Sequence, residues 1–416
     1  MHILIVHQAF VALDEAGGTR HYELARHLVA HGHQVTVIAS PISYLTGKAR
    51  SKMKWVEKEQ PEAGITILRT YTYSALHKSF VHRVFSFLSF MFSSFWVGLG
   101  VRKVDLVWGT SPPIFQGVSA WLLARLKRAR FLFEVRDLWP AFAIDVGVLK
   151  NKLLIKLSLW LERFLYRHAD QMMVNSPGYV EHVKARGAKR VALIPNGADT
   201  SMFNPQDDGA ALRKQHGLEN AFVILYAGAH GMSNDLGVVL DAAAQTRRSE
   251  VRYVFVGDGK EKAALQAQAA EKGLTHVLFL PPVPKKEMSA MLAMADACLA
   301  ILKPIEMYKT TYPNKVFDYL AAGRPILLAI DGVIRQVVDA AGAGIFIPPG
   351  DSHALAEGAE KLAADRDAAR KMGLEGRRYL EANFDRARLA EELRHLVEGM
   401  GPHSPQQAQR MLSDDR

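Results

Sequence analysis

A chain of 416 residues exceeds what one hydrophobic core organises, so two domains of about 200 residues each are expected. With 49% apolar and 23% charged residues, the composition is that of a soluble α/β protein and excludes a largely disordered chain. The net charge of +10 favours an anionic partner, and the single cysteine, Cys298, excludes an internal disulfide framework and a cysteine-cluster zinc site.

The opening MHILIVHQAF passes straight into a short strand at 2–6 with no basic leader or cleavage signal, so no signal peptide is expected and a reducing cytosol fits the lone thiol. A loop carrying Glu15, Gly17, Gly18 and Thr19 leads into a helix through Leu24, Leu28 and Val29, closed by Gly32 before the strand QVTVIA. This is a βαβ opening. It lacks the GxGxxG spacing, so Gly17 and Gly18 mark either a tight turn or a close approach of backbone to a ligand.

After a strand ITILRTY at 65–71, the chain is uncharged from Val84 to Val101, between Lys78, His82 and Arg83 on one side and Arg102 and Lys103 on the other. As a helix this run is about 27 Å long, at the short edge of a membrane span. Its serines and glycines suit lipid poorly. A helix lying in the membrane interface is the first expectation, a buried helix of the domain the second and a true span the third. Basic residues outnumber acidic ones from Leu76 to Asp170, which adds an anionic membrane surface as a partner for the segment at about 78–103. Nucleic acid also fits a high isoelectric point, but no nucleic-acid module is present.

VDLVWGTSPP is a strand and turn, followed by a helix through Trp121, Leu122 and Leu126. The strand RFLFEVRDLWP then delivers Glu134, Arg136, Asp137 and Trp139 at its carboxyl end, the edge at which open α/β sheets bind ligands. Asp137 is either a turn residue paired with Arg136 or an acid–base group. In the helix at 152–167, Leu153, Leu157, Trp160, Leu161 and Phe164 form one stripe, expected to face the core. Lys152, Lys156, Arg163 and Arg167 form the other, facing water or lipid headgroups. The strand of VALIPNGADTSMF makes a sharp exit at Asn196 and places the domain boundary near 203, with the ligand expected in a cleft between the halves.

The second half repeats strand then helix: FVILYAG before His230 and Gly231, VRYVFVG ending in Gly257, Asp258 and Gly259, then VLFLPPV, ACLAIL, PILLAI and GIFIP. A second doubly wound parallel sheet is expected over 204–383, with a last helix at 384–401 and a disordered tail from 402 to 416. Within it, PNKVFDYLAAGRP reads as a turn at Pro313 and Asn314 and a helix closed by Gly323. Val316, Phe317 and Leu320 face the core; Lys315 and Asp318 share the other side. A helix N-terminus beside a lysine suits a diphosphate, and a carboxylate one turn on suits a vicinal diol such as a ribose. An ordinary capped helix is the alternative.

The Gly17–Gly18 loop, IPNGAD, VGDG and FDYLAAGRP, in this order over essentially residues 1–400, resemble the retaining glycosyltransferases of family 4, which have the GT-B fold. RDLWP, the apolar insertion and the PNKVFDYLAAG form look like the bacterial O-antigen and exopolysaccharide branch, including fucosamine-transferase-like enzymes. The resemblance implies an α/β architecture of two Rossmann-like, doubly wound parallel-sheet domains facing a cleft. The second would hold a nucleotide-diphosphate sugar and the first, 1–203, a polyprenyl-diphosphate-linked saccharide. A hexosyl or N-acetylhexosaminyl group would be transferred with retention, with no metal or other cofactor, at the cytoplasmic surface of the inner membrane.

Asp318 stands where the family has the second glutamate of its Glu-x7-Glu motif. Thr310 replaces the first, leaving Glu306 as a substitute, and the family's Arg and Lys after the first strand of the second domain are absent. The donor set implied by the resemblance is Gly17, Gly18, Asn196, His230, Gly231, Gly257, Asp258, Gly259, Pro313, Asn314, Lys315, Val316 and Asp318. Asp137, Glu306 and Lys315 are the candidates for catalytic duty. A nucleotide-sugar 2-epimerase and a non-catalytic sugar-nucleotide-binding membrane-surface protein remain as other readings.

Overall fold

The computed structural model describes residues 1–43, 47–50, 54–74 and 80–401, so the Lys78 flank and the expected tail at 402–416 lie outside the described residues. The chain divides into two compact units. The first comprises Met1–Phe10, Thr19–Pro195 and the chain from Ala387 on; the second comprises Val11–Gly18 and Asn196–Arg386. The division after Pro195 precedes the expected boundary at 203. It also returns most of the last helix, Arg386–Gly399, to the first unit, and assigns Gly17 and Gly18 to the second.

The strands of the first unit are β1 His2–Val6, β2 Gln34–Ala39, β3 Val56–Glu62, β4 Ile65–Thr70, β5 Leu106–Ser111, β6 Arg130–Val135, β7 Gln171–Val174 and β8 Val191–Leu193. They form one sheet in the order β3-β4-β2-β1-β5-β6-β7-β8, parallel except for β3. Central strands such as β5 and β6 read as apolar runs because helices cover both faces. Strand β3, VEKEQPE, was not anticipated: it is a polar antiparallel edge whose register shifts between Glu59 and Glu62, around Pro61. Proline is tolerated at an edge bulge, where no ladder bond is lost.

The apolar run forms the helix Phe80–Gly100, which packs against β4 and the helix Phe115–Lys127. Its serines explain themselves here. Ser86, Ser93 and Ser94 are buried with Phe90, and Ser93 meets Thr70 at 2.7 Å. At Gly98 a Cβ would come within 2.5 Å of Leu123, so glycine permits the close packing. The opposite face leaves Val81, Phe85, Phe92 and Trp96 exposed.

The helix Lys152–His168, capped by Asn151, corrects the expected core stripe. Only its second half packs, through Glu162, Leu165, Tyr166 and the contact of Phe164 with Trp121 at 4.8 Å between rings. Leu153 and Trp160 are 64% and 61% exposed, and Leu154 and Leu157 are exposed beside Lys152 and Lys156. Periodicity revealed an apolar face but not that, among the described residues, nothing covers its first half.

The second unit holds β9 Phe222–Ala227, β10 Val251–Val256, β11 Val277–Leu280, β12 Ala297–Ile301, β13 Ile326–Ala329 and β14 Gly344–Phe346, in the order β11-β10-β9-β12-β13-β14 and all parallel. The order reverses between β9 and β12, the switch point where such sheets bind ligands beyond the strand carboxyl ends. Val316, Phe317 and Leu320 of the helix Asn314–Ala321 are fully buried in the core on one face of this sheet, as their spacing requires.

Candidate active site

The helix Asn314–Ala321 begins at the carboxyl edge of the second sheet, after Pro313 as its cap residue. Tyr319 fixes it there, its hydroxyl accepting the Ala227 N–H at 2.9 Å, so the helix start is held against the end of β9. Lys315, in the first turn, lays its ammonium 3.8 Å over the ring of Tyr226. That Nζ is buried and has no hydrogen-bond partner among the described residues. Burial brings its pKa down from the usual lysine range to about 7. Gly228, just past β9, makes room: a Cβ there would stand 3.0 Å from Nζ.

One turn on, Asp318 pairs with Lys285 at 2.6 Å. Lys285 follows β11 and had no signal in the sequence beyond a Lys-Lys pair. Its backbone N–H also donates to the Glu15 carbonyl, which ties in the Val11–Gly18 segment. Gly18 of that segment lies where a Cβ would be 3.8 Å from the Asn314 amide, and Gly17 has a φ of +146° that favours glycine. Asn196 donates to the Tyr312 carbonyl at 2.6 Å and so braces the turn before Pro313, while its Oδ1 is buried without a partner.

The structure thus brings Gly17, Gly18, Asn196, Pro313, Asn314, Lys315 and Asp318 to one locality and adds Lys285. It reassigns others. Val316 is core, and its N–H donates to Pro313. His230 is fully buried beside Tyr226 and Phe255, and its N–H is taken by the Asp258 carbonyl, so this amide does not offer the expected diphosphate contact. Burial, with the charges of Lys262 and Lys315, lowers the His230 imidazole to about 4.

Gly257 and Gly259 are required by packing: Cβ atoms there would fall 1.9 Å from the Gly228 carbonyl and 2.4 Å from that of His230. The Asp258 side chain accepts the Gly259 N–H. Gly231 accepts the Asn234 N–H and starts the short turn after β9. Glu306 is 83% exposed and paired with Lys309 at 2.8 Å, on the turn Glu306–Thr310, and does not join the Lys315–Asp318 group. Thr310 bonds back to the Met307 carbonyl. A cavity of about 420 Å³ in this unit lies at the opposite edge, beside Phe222, Asp296 and Pro325 at the strand starts, and belongs to none of this.

The first unit carries its own polar group at the carboxyl edge of its sheet. Glu134, at the end of β6, is fully buried and meets His21 at 2.5 Å, Arg20 at 3.3 Å and the Trp108 indole at 3.2 Å. Burial alone would raise the Glu134 carboxyl, but His21, Arg20 and Arg136 more than offset it and hold it down at about 2. His7, directly after β1, packs its ring 4.2 Å from that of His21, and neither of its ring nitrogens has a partner among the described residues. Burial and the Arg136 charge keep it neutral, well below its usual range.

Asp137 follows Arg136 in the chain, and its carboxyl is pushed up by burial to about 6, against the pull of Arg136. Arg136 itself donates to the Pro112 carbonyl. A carboxylate poised near neutrality can take a proton from a hydroxyl. His7 and His21 were missed because single histidines next to a strand and a glycine turn carry no distinctive pattern.

Residues 16–197 match the family described as glycosyl transferase 4-like domain, and residues 208–379 match glycosyl transferases group 1. A protein of Escherichia coli named as a colanic acid biosynthesis glycosyl transferase, WcaI, is 27% identical over 311 residues, spanning 72% of this chain and 76% of that protein. Among solved structures, sucrose-phosphate synthase from Thermosynechococcus elongatus superimposes with a TM-score of 0.76 at 19% identity, over 96% of this chain and 98% of that one. Anabaena HepE, in complex with UDP and glucose, gives 0.73 at 17% identity, over 96% and 100%.

Proposed function

Because this chain belongs to the GT-B glycosyltransferases, with a 4-like domain followed by a group 1 domain, we propose that it transfers a sugar from a nucleotide-diphosphate donor to a lipid-linked saccharide in the synthesis of a bacterial surface polysaccharide. The observation that carries this reading is the buried, unpartnered Lys315 ammonium at a helix N-terminus, one turn from Asp318. A buried cation without an anion is costly, and a diphosphate is the anion that a helix N-terminus plus an amine accommodates. The names of the relatives support it: WcaI for the polysaccharide, HepE for the nucleotide.

In this reading Lys315, with its pKa brought down to about 7 by burial, takes up a proton as the diphosphate enters and stabilises the leaving group as the glycosidic bond breaks. Asp318 exchanges Lys285 for the ribose hydroxyls, and Lys285 turns to the phosphates. Asp137 accepts the acceptor hydroxyl's proton. Transfer is with retention and needs no bound metal. The sugar is a hexose or N-acetylhexosamine, a fucosamine derivative among them.

The acceptor's lipid sets the location. The exposed Phe85, Phe92 and Trp96 of one helix, and Leu153, Leu157 and Trp160 of another, lie on helices that both pack against Phe115–Lys127, whose Leu126 is exposed too. With Lys152 and Lys156 among them, these side chains suit shallow insertion into the anionic cytoplasmic leaflet of the inner membrane.

The test is a donor screen: UDP-, GDP- and dTDP-sugars incubated with polyprenyl-diphosphate saccharides, with wild type and Lys315→Ala in parallel. Sugar transfer that Lys315→Ala loses supports the reading. An epimerised donor formed without acceptor, or equal rates from both proteins, overturns it.

A further inference from the structure

We propose that His27, His31 and Glu391 form a binding site for a late first-row divalent metal ion, zinc above all, which ties the helix Arg20–Ala30 to the C-terminal helix within the first unit. The ligand atoms of the three residues lie within 4.8 Å of one another. His27 is in the last turn of its helix and His31 caps the end, four residues on, so the helical repeat stacks both imidazoles on one face. Their ring centres are 4.4 Å apart. The carboxylate comes from the other helix, with Glu391 Oε2 3.1 Å from His27 Nε2.

The tautomer of His31 is set in the way metal sites require. Its Nδ1 is 2.8 Å from the His27 carbonyl, which can only accept, so the proton is on Nδ1 and the Nε2 lone pair is bare. Glu391 is held from behind by Arg394, whose guanidinium meets Oε1 at 2.5 Å and Oε2 at 2.9 Å. Zinc–nitrogen and zinc–oxygen bonds of about 2.0–2.2 Å need ligand atoms somewhat over 3 Å apart, which the His27–Glu391 pair already meets. The exposed His31 ring closes the remainder by rotating about its own side-chain bonds. Two imidazoles and one carboxylate, with water in the fourth position, suit zinc rather than magnesium or calcium. The Arg394 charge sits close by and weakens the attraction for a cation. The tie is structural, and no step of sugar transfer passes through it.

Tag-free, full-length protein is titrated with zinc chloride against a chromophoric zinc indicator, with thermal unfolding followed in parallel. Wild type is expected to withdraw one ion per chain and to unfold at a higher temperature with zinc but not with magnesium chloride. His27→Ala and His31→Ala each weaken binding about tenfold or more and remove the thermal shift. His353→Ala leaves both intact, because His353 and Glu357 make an exposed i,i+4 pair without a third ligand among the described residues. Circular dichroism checks that the variants fold. Failure of wild type to compete with the indicator overturns the proposal, as does equal affinity in the His27→Ala, His31→Ala double variant or loss of binding in His353→Ala.

Discussion

Lys285 donates to Asp318 across 2.6 Å, joining the loop after β11 to the helix Asn314–Ala321. In the proposed mechanism this ion pair holds the ribose ligand in place until the donor arrives. Asp318→Ala is therefore expected to raise the donor KM by ~10–100-fold, the worth of a charge-assisted hydrogen bond, with a smaller change in kcat. Initial rates against donor concentration check this, and an unchanged KM would remove Asp318 from the site.

Lys315→Met separates stability from activity. The amine costs stability by being buried, so a methionine of similar shape should raise the unfolding temperature while transfer falls by ~10²–10³-fold. The pH dependence has a definite sign. The folded-state pKa of about 7 lies below the ordinary lysine value of 10.5, so the unfolded chain binds the extra proton between them. The penalty is complete below pH 7 and fades as pH rises to 10.5. The stability gap between Lys315→Met and wild type, from urea unfolding at several pH values, should shrink accordingly.

Asp137 predicts an acid limb. With its carboxyl at about 6, kcat/KM should fall as pH drops through that value, and Asp137→Asn should lose ~10²–10⁴-fold and flatten the limb. A pH–rate profile of both proteins decides it.

Glu134→Gln leaves Arg20 buried beside a neutral amide. Breaking one side of a buried pair costs about 3–5 kcal/mol, which a shift in the urea midpoint would report.

The apolar face is tested with vesicles. Leu157→Glu with Trp160→Glu should abolish co-sedimentation without lowering the unfolding temperature, since both side chains are exposed. Reversing Lys152 and Lys156 to glutamate should weaken binding to anionic but not neutral vesicles, by ~5-fold or more per charge.

Much of this was legible in the sequence. Alternating strands and helices announced two doubly wound sheets, and the spacing of Val316, Phe317 and Leu320 placed Lys315 and Asp318 on the side of the helix away from the core. What escaped was whatever depends on a distant neighbour. Lys285 meets Asp318 from 33 residues away in the chain, and a buried neutral imidazole such as His7 differs in no sequence property from a surface one. Glu306 has the right chemistry but faces water. The stripe at Leu153, Leu157 and Trp160 was visible, whereas its lack of a covering element was not. The edge strand β3 hid behind glutamates and a proline that ordinarily argue against pairing.

The chain returns to its first unit after Arg386. Hybrids made by swapping N-terminal halves at residue 195 would part the closing helix from the surface it packs on, setting foreign residues opposite Glu391 and Glu398. A workable graft carries both ends of the polypeptide together and transplants the stretch from 196 to 386 with the Val11–Gly18 segment as the foreign insert.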